Sequence, residues 1–382
     1  MGLACALLLN ARGVAVRVLD ARAPQDSTGD ARVLALSRGS WALLRPFLQG
    51  ATLPRADITD VKVSSAGEFG LTHLPSPRTD KSSAKNGNKN SDNNELEPLG
   101  ATVRYGDLVM ALAHAAAQAN IDLQTRCTVT QMEQTSAQVR LKLSDERVFD
   151  TPVAVLAEDF SLQKTPRSYE QSHDWAVVAS VQVSGVAPGT AFERFTREGP
   201  LALLPEPGRT NALPNASRNA LPMSLVWCMS EAECNRRAAL SDSAFLAELQ
   251  SAVGVRVAKI EQCGPRQRFP LTQAFESQTW RHRVVQIGNA AQTLHPVAGQ
   301  GFNLGLRDAA VLAQALTQQP EVLSTDAALQ HALATYSERR VMDRRVIASV
   351  TAALPAVFAT RFAPLALARS LGKRLALCRV IE

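Results

Sequence analysis

The segment that most restricts the fold of this chain spans residues 284 to about 318, where a short apolar strand leads into a glycine-rich turn and then a long helix. The pattern of residues 284–287 predicts a buried strand that ends at Gly288 and Asn289. Open α/β sheets bind ligands at the carboxyl ends of their strands. We therefore expect an α/β fold with a binding site at Gly288 and Asn289.

The residues after this strand favour a flat, negatively charged ligand. His295 and Pro296 set a backbone turn, and Gly299 and Gly301 allow the backbone to approach a ligand closely. A helix is predicted from residue 302 to about residue 318, and the N–H groups of its first turn suit a phosphate or a reduced flavin. Its apolar face carries Leu306, Ala310, Ala313 and Leu316. His295 alone is more often an ordinary loop residue, so the prediction depends on the whole run 288–305.

The first twenty residues also fit a nucleotide-binding unit. Residues 2–11 predict a helix that ends at Gly13, and residues 14–19 predict a strand that ends at Asp20. Helix, glycine, strand and acidic residue in this order form the second half of a βαβ dinucleotide-binding unit. Any other α/β protein contains helix–strand pairs of the same kind, so spacing alone leaves both interpretations open.

The middle of the chain has a different pattern. Strands are predicted at 175–183, 191–197, 201–204 and 224–228 with no helices between them, which indicates an antiparallel sheet inserted into the α/β part. A polar stretch at 81–95 and a stretch near 206–223 that contains NALP twice are predicted to be loop insertions.

Composition excludes several classes of protein. The net charge is +6, from 41 Lys and Arg against 35 Asp and Glu, without a dense basic block, so we expect no nucleic-acid partner. The six cysteines form no CxxC pair, which argues against a zinc site or a disulfide scaffold, predicts no metal and favours a reducing cytosol. The apolar residues 1–9 lack the basic region of a signal peptide, and no apolar stretch is long enough to predict a transmembrane helix.

The string GNAAQTLHPVAGQGFNLG at 288–305 closely resembles the C-terminal flavin motif of the FAD-dependent monooxygenases of ubiquinone biosynthesis. These enzymes belong to the aromatic hydroxylase group typified by para-hydroxybenzoate hydroxylase. Further resemblance lies in DARVLALSRGS at 30–40, AFERFTREGPLALLP at 191–205, SLVWC at 224–228, YSERRVMDRR at 336–345 and VFATRFAPL at 357–365. The branch most resembled hydroxylates 2-octaprenyl-6-methoxyphenol.

The resemblance implies an α/β fold with a Rossmann-like FAD-binding domain, an inserted, mainly antiparallel substrate domain and C-terminal helices. We expect the FAD-binding domain at 1–60, 100–160 and 264–335. The substrate domain is expected at 61–99 and 165–263, and the C-terminal helices at 336–382.

The implied chemistry is a hydroxylation with FAD and NAD(P)H as cofactors and a polyprenylphenol and O2 as substrates. In that family NAD(P)H reduces FAD, the reduced flavin captures O2 as a C4a-hydroperoxide, and the distal oxygen attacks the phenol ring. By the same resemblance Asp20 would bind the adenosine ribose, Arg32 would approach the cofactor, and Gly288 and Asn289 would meet its ribityl or pyrophosphate part.

The remaining site residues implied by the resemblance surround the flavin ring. The loop with His295, Pro296, Gly299, Gln300 and Gly301 would lie along the isoalloxazine, and Asn303 would present the helix N-terminus. His295 is a catalytic candidate by position only, and we identify no base that activates the substrate.

Two departures from the family pattern leave alternatives open. Gly2 matches the third glycine of GxGxxG, whereas the first strand and the first two glycines are absent. Either the natural start lies upstream, or the chain is truncated and binds FAD weakly or not at all. Glu158-Asp159 stands where the family has Asp-Gly, which puts efficient NAD(P)H use in doubt. The alternatives to the hydroxylase are a catalytically impaired scaffold within the biosynthetic complex and a hydroxylase of another phenol.

A polyprenyl substrate implies contact with a membrane. The mostly apolar residues 346–368, with the basic Arg361, Arg369, Lys373 and Arg374, are expected to dock on anionic lipid or on other ubiquinone-biosynthesis proteins. An ordinary buried helix pair is the alternative. The expected location is cytoplasmic, peripheral at the inner face of the membrane.

Overall fold

The structure is a computed structural model. It describes residues 1–382 except 31, 51, 67–70, 78–96, 159–168, 171–173, 209–212, 214–216, 255–256, 277, 295–299 and 360–382. The predicted insertion at 81–95 therefore lies outside the described residues, as do Asp159 and the basic residues Arg361, Arg369, Lys373 and Arg374.

Two small sheets, one parallel and one mixed, form the nucleotide-binding type of framework. Helix α1 (Gly2–Asn10) leads into β1 (Arg17–Asp20), which pairs in parallel with β7 (Asp122–Thr125) after helix α3 (Tyr105–Gln118). Strand β11 (Ala154–Leu156) pairs in parallel with β21 (Val284–Gln286), whose other edge pairs with β20 (Trp280–Arg281). Helix α1 starts at Gly2 as predicted, whereas β1 starts at Arg17, three residues later than the alternation suggested.

Helices α6 (Gln300–Leu316) and α7 (Asp326–Ala359) pack beside this framework. Their buried faces form one core with α1 and β21, made of Leu8, Leu9, Val285, Leu312, Leu329, Leu333 and Tyr336. Helix α6 begins two residues before the predicted start, so Gly301 lies in its first turn and not in a preceding loop. Helix α7 begins at Asp326, ten residues before the predicted boundary. Within the described part of the chain, no helix has the length and apolar character that crossing a bilayer requires.

The middle of the chain folds into an eight-stranded sheet, as the strand pattern predicted. The strand order is β17-β13-β16-β15-β14-β4-β5, and β18 also pairs with β13. The bounds are β4 (Asp60–Ser65), β5 (Leu71–Pro75), β13 (Asp174–Ser184), β14 (Thr190–Phe195), β15 (Pro200–Pro205), β16 (Leu221–Ser230), β17 (Lys259–Cys263) and β18 (Gln267–Pro270). Strand β18 lies beyond the predicted domain boundary at 263, and β16 begins inside the predicted insertion near 206–223.

One face of this sheet is covered by helices α4 (Glu231–Ala238) and α5 (Asp242–Val253). Trp227 and Phe245 pack in the apolar core between them, with ring centroids 6.2 Å apart. Alternate residues of the same strands, such as Val226 and Ala202, point to the opposite face, where a cavity lies.

Three smaller sheets complete the described chain. Strands β2 (Val33–Ser37), β6 (Gly100–Arg104) and β3 (Arg55–Ile58) form one sheet, and helix α2 (Arg38–Leu44) follows β2. Strands β8 (Val129–Gln134), β9 (Val139–Leu143) and β10 (Val148–Thr151) form the second. The third contains β12 (Tyr169–Glu170), β19 (Gln273–Phe275) and β22 (Gln292–Thr293).

Buried polar contacts join the β2–β6–β3 sheet to the eight-stranded sheet. The Thr102 hydroxyl donates to the carbonyl of Pro205 (2.6 Å), and Arg104 donates to Glu206 (2.5 Å). The Ser180 hydroxyl donates to the other oxygen of Glu206 (2.5 Å). These bonds fix the two sheets relative to each other, and the cavity lies between them.

Candidate functional site

A cavity of about 420 Å³ lies between the eight-stranded sheet on one side and β2 and the start of α6 on the other. Most of its lining is apolar, including Leu34, Ile58, Val61, Val178, Phe192, Leu204, Val226, Phe269 and Leu294. A cavity of this size and lining suits an apolar or aromatic small molecule oriented by a few polar groups.

The start of α6 supplies the polar edge of the cavity. Gln300, Gly301 and Asn303 all line it, together with Phe302. A Cβ added at Gly301 would meet no atom within 4 Å, so this glycine leaves open space at the helix start. The first turn of a helix carries N–H groups that have no intrahelical acceptor, and these favour a negatively charged ligand atom. The predicted residues Gln300, Gly301 and Asn303 are thus brought together at one wall.

Asn303 also fixes this helix start against β2. Its Oδ1 accepts the N–H of Ser37 (2.9 Å), and its Nδ2 donates to the carbonyl of Ala35 (2.8 Å). The side chain is almost fully buried. Both ends of the amide are therefore bound to the backbone of β2, which holds the helix N-terminus at the cavity.

Arg32 lines the same cavity, at the strand that Asn303 holds. It forms an ion pair with Asp30 (2.5 Å), and its guanidinium lies 4.8 Å from the ring centroid of Tyr105. The hydrogen bond to Asp30 raises the pKa of Arg32 against the opposing effect of burial. Arg32 is therefore a charged guanidinium beside the cavity, paired with Asp30, and its approach to a cofactor stays a prediction.

Gly2 and Gly288 are brought together at the carboxyl ends of the parallel strands. Gly288 has a φ of +55°, and a Cβ there would lie 2.9 Å from Cγ of Met1. A Cβ at Gly2 would lie 3.7 Å from Cβ of Ala157, just after β11. Burial lowers the pKa of the Met1 amino group, which lies within electrostatic reach of Asp20. Asp20 thus ends β1 and Gly288 and Asn289 follow β21, where ligand sites of α/β folds lie, whereas Gly2 opens α1 beside this edge with no described strand before it.

Asp20 has local partners at this edge. Its Oδ1 accepts the N–H of Arg22 (2.9 Å), and the Arg22 guanidinium forms an ion pair with Glu158 (2.7 Å). Asn289 is exposed in the short 3-10 helix Gly288–Ala290. His295, Pro296 and Gly299 lie outside the described residues, so their roles stay predictions.

The residues that hold the Gly288 turn were missed by the sequence interpretation. Asp308 on α6 is fully buried; its Oδ2 accepts the N–H of Gly288 (3.1 Å) and Nε2 of Gln292 (2.6 Å). Arg340 on α7 donates to the other oxygen of Asp308 (2.7 Å) and to Asp343. Burial opposes the charge of Arg340, yet the Asp308 and Asp343 carboxylates together outweigh it and the pKa of Arg340 is raised.

Arg344 completes this group, which we call the turn cluster (Gln292, Asp308, Arg340, Asp343 and Arg344). It donates to Gln292 (2.5 Å) and to the carbonyls of Glu276 and Ala291 (both 2.8 Å). The signal that could have found it is an aspartate among the mostly apolar residues of the predicted helix 302–318, together with two arginines four residues apart in YSERRVMDRR.

A second missed residue lies on the sheet wall. Glu193 on β14 is buried and lines the cavity among apolar residues. It is the one acid among the described lining residues. An acidic residue at an inward position of the AFERF strand was the signal for it.

Comparison with known proteins agrees with these features. A family model described as an FAD binding domain matches residues 157–350, just over half of the chain. The chain is 36% identical over 197 residues to ubiquinone hydroxylase UbiL of Rhodospirillum rubrum, a match that covers 52% of this chain and 43% of that protein. The chain thus spans less than half the length of that relative.

Two further comparisons cover nearly the whole chain. The 3-demethoxyubiquinol 3-hydroxylase of Escherichia coli is 26% identical, with 97% of this chain and 91% of that protein covered. The crystal structure of PqsL, a probable FAD-dependent monooxygenase from Pseudomonas aeruginosa, superposes with a TM-score of 0.73 at 18% identity, over 95% of each chain. The predicted family and fold class are confirmed. The chain belongs to the family that this FAD-binding-domain model describes, and it is similar to hydroxylases of ubiquinone biosynthesis.

Proposed function

We propose that this chain is an FAD-dependent hydroxylase that acts on a polyprenylphenol of ubiquinone biosynthesis, using NAD(P)H and O2. The observation that carries the proposal is the apolar cavity of about 420 Å³ between the α6 helix start and the eight-stranded sheet. The mostly apolar lining offers few polar partners to a charged substrate, whereas an alkylated phenol ring gains from burial. A hydroxylase of another apolar phenol remains the second candidate, because the lining does not distinguish ring substituents.

The described residues fit FAD on two grounds. Gly301 leaves open space at the helix start, which a flat ring could occupy. Arg32 places a positive charge at the same wall. In this proposal Gln300, Gly301 and Asn303 hold the ring with the loop residues His295, Pro296 and Gly299, and the strand-end residues Gly2, Asp20, Gly288 and Asn289 hold the rest of the cofactor. When bound, FAD would accept electrons from NAD(P)H and activate O2.

The protein's own contribution is placement and exclusion of water. The apolar rows of the sheet would hold the phenol ring against the opposite wall, and the Asn303 bonds to β2 keep that wall in place. The apolar lining keeps water from the reacting atoms, which protects a reactive oxygen species from side reactions.

Turnover of a prenylated phenol tests the proposal. The purified chain is incubated with FAD, NADH or NADPH, 18O-labelled O2 and 2-prenylphenol, and products are analysed by mass spectrometry. We expect a hydroxylated product that carries one labelled oxygen. A folded protein that remains colourless after incubation with FAD would instead support the scaffold alternative.

Gly301→Val tests the placement of the cofactor. The valine side chain would project into the open space at the helix start, so we expect FAD affinity to fall at least tenfold while the circular dichroism spectrum stays unchanged. Gly301→Ala is the matched control, and its FAD affinity should fall by less than that of Gly301→Val. Unchanged FAD affinity in both variants would contradict the placement.

We also propose a peripheral membrane contact through residues 346–368 and the basic residues after them. In the described part of α7, Met342 is an exposed apolar side chain shortly before this segment. Co-sedimentation with vesicles that contain anionic lipid should capture the protein, and replacing Arg361, Arg369, Lys373 and Arg374 by Gln should weaken capture. Absence of binding to anionic and neutral vesicles alike would refute this contact. Binding to other ubiquinone-biosynthesis proteins is the further partner proposal, tested by co-purification.

A further inference from the structure

We propose that Glu193 is a catalytic residue that accepts the hydrogen bond of the substrate's phenolic hydroxyl. The inference rests on the proposed function, because it assigns a contact to the phenol that the cavity would bind. It adds the substrate-activating group that the sequence interpretation could not identify.

The register of the sheet places Glu193 in the cavity wall. Glu193 on β14 pairs with Ala202 on β15, Ala202 pairs with Val226 on β16, and Val226 pairs with Val178 on β13. Directly paired residues point to the same face of a sheet. The row Glu193–Ala202–Val226–Val178 therefore crosses the cavity wall, and all four residues line the cavity.

The residues around Glu193 allow its carboxylate to distinguish a phenol from a ring that has no hydroxyl group. The residues beside Glu193 in this row, Ala202, Val226 and Val178, are small or branched and apolar. The positively charged Arg32 lines the opposite wall of the cavity, just before β2 begins. A bound phenol ring would cover the apolar row and exclude water from it. A phenolic O–H that enters this space donates a charge-assisted hydrogen bond to Glu193, whereas a ring without the O–H cannot.

This contact has a chemical consequence for hydroxylation. A hydroxyl hydrogen bonded to a carboxylate pushes electron density into the ring, which favours attack by an electrophilic oxygen. As a ring carbon forms its bond to an oxygen atom derived from O2, the phenolic proton moves to Glu193. The same ring carbon then releases its hydrogen as a proton, Glu193 returns the first proton to the phenolic oxygen, and no net proton stays on the protein. The O–O bond breaks as the new C–O bond forms, and the second oxygen atom takes up two protons and the two electrons that NAD(P)H supplies and leaves as water.

Paired ligands and paired variants test the contact. The probes are 2-prenylphenol and its methyl ether, which differ in the O–H donor, and binding to the full chain is measured by calorimetry. For the native protein we expect the phenol to bind about tenfold more tightly or better, the size of one hydrogen bond to a charged group. Glu193→Gln should reduce this preference to about twofold. Glu261→Gln, which alters a remote exposed carboxylate beside Ser217, should leave it unchanged.

The variant also gives a kinetic signature in the enzyme loaded with FAD. Glu193→Gln should continue to oxidise NAD(P)H, while the fraction that yields hydroxylated product falls at least fivefold and hydrogen peroxide rises. A purely structural defect would lower the rate of NAD(P)H oxidation and the rate of product formation together. If Glu193→Gln fails to fold, Glu193→Asp replaces it and should give an intermediate preference.

Failure of this inference is distinguishable from failure of the proposed function. Equal binding of the phenol and its ether by the native protein, or an unchanged preference in Glu193→Gln, overturns the role of Glu193 even if hydroxylation occurs. A native protein that prefers the phenol but forms no product overturns the proposed reaction and leaves the contact of Glu193 supported.

Discussion

The turn cluster beneath Gly288 and a second charged cluster on the helix-covered face of the eight-stranded sheet use the same residue types in different surroundings. The second, the back cluster, consists of Glu198, Glu233, Arg236, Arg237 and Glu248. Asp308 and Arg340 in the turn cluster have side chains that are 0% and 4% exposed. In the back cluster Arg237 is 7% exposed, but its partners Glu198 and Glu248 are 38% and 33% exposed.

This difference decides what each cluster can do. Carboxylates that reach water can be solvated when their partner is lost, so exposed pairs contribute little stability. A charge that is buried on all sides depends on its partner, and loss of one partner leaves the other uncompensated. The turn cluster also bonds directly to the backbone of Gly288, a proposed cofactor residue, whereas the back cluster lies on the far side of the sheet from the cavity. We therefore expect the turn cluster to couple stability to FAD binding and the back cluster to affect stability alone.

The largest effect is expected for Asp308→Asn. This change leaves Arg340 buried with only Asp343 as an ionic partner and weakens the hold on the Gly288 turn, so the free energy of unfolding should fall by about 3 kcal/mol. FAD affinity should fall with it. Urea unfolding and flavin titration measure the two effects. Asp343→Asn is the control, because Asp343 is 29% exposed and does not contact Gly288; a larger loss in the control would contradict the comparison.

A smaller effect is expected for Arg237→Leu. The leucine keeps some packing against Trp227 but loses the cation–π contact at 4.1 Å and the bonds to Glu198 and Glu248. The freed carboxylates can turn to solvent, so we expect a loss of about 1–2 kcal/mol in stability. FAD affinity should stay at the native value. A clear loss of flavin in this variant would show that the two clusters are not independent.

The smallest effect concerns pH. Hydrogen bonds from Arg236 and Arg237 lower the pKa of Glu248 to about 2. Because this folded-state pKa lies below the unfolded value of 4.5, the contribution of Glu248 is complete above pH 4.5 and is lost as the pH falls toward about 2. Solvent screening limits it to about 1 kcal/mol or less. Unfolding midpoints of the native protein and Glu248→Gln should converge between pH 5 and about 2, and parallel curves would refute the assignment.

Local sequence patterns predicted most of the elements that build the site. Gly13, with a φ of +82°, follows α1 where the sequence placed a helix stop. The alternation at 175–183 corresponds to β13, and the run 284–287 corresponds to β21. These predictions worked because turn glycines and side-chain periodicity act over a few residues. The predicted starts of β1 and β16 differ by three residues from the observed starts at Arg17 and Leu221, because the pairing partner decides where a strand begins.

The partners of the buried charges could not be predicted in the same way. Asp308 contacts Gly288 and Arg340, which lie 20 and 32 residues away. Glu193 faces the cavity because of a register shared by β13 to β16, and a shift of one residue would turn it to the opposite face. Helix periodicity placed Asp308 away from the predicted apolar face of Leu306 and Ala310, so it did not show that this carboxylate would be buried or which arginine would neutralise it.

The sequence by itself determined the family, the α/β framework with an inserted sheet, and the glycine-rich segment at the end of β21. Only the tertiary structure decided that Asn303 bonds to β2, that α7 supplies two arginines beneath the Gly288 turn, and that one acid stands in the apolar part of the cavity wall among the described residues. The physical reason is range. Backbone conformation follows from neighbouring residues, whereas the partner of a buried polar group depends on how distant elements pack and on the cost of leaving that group unpaired.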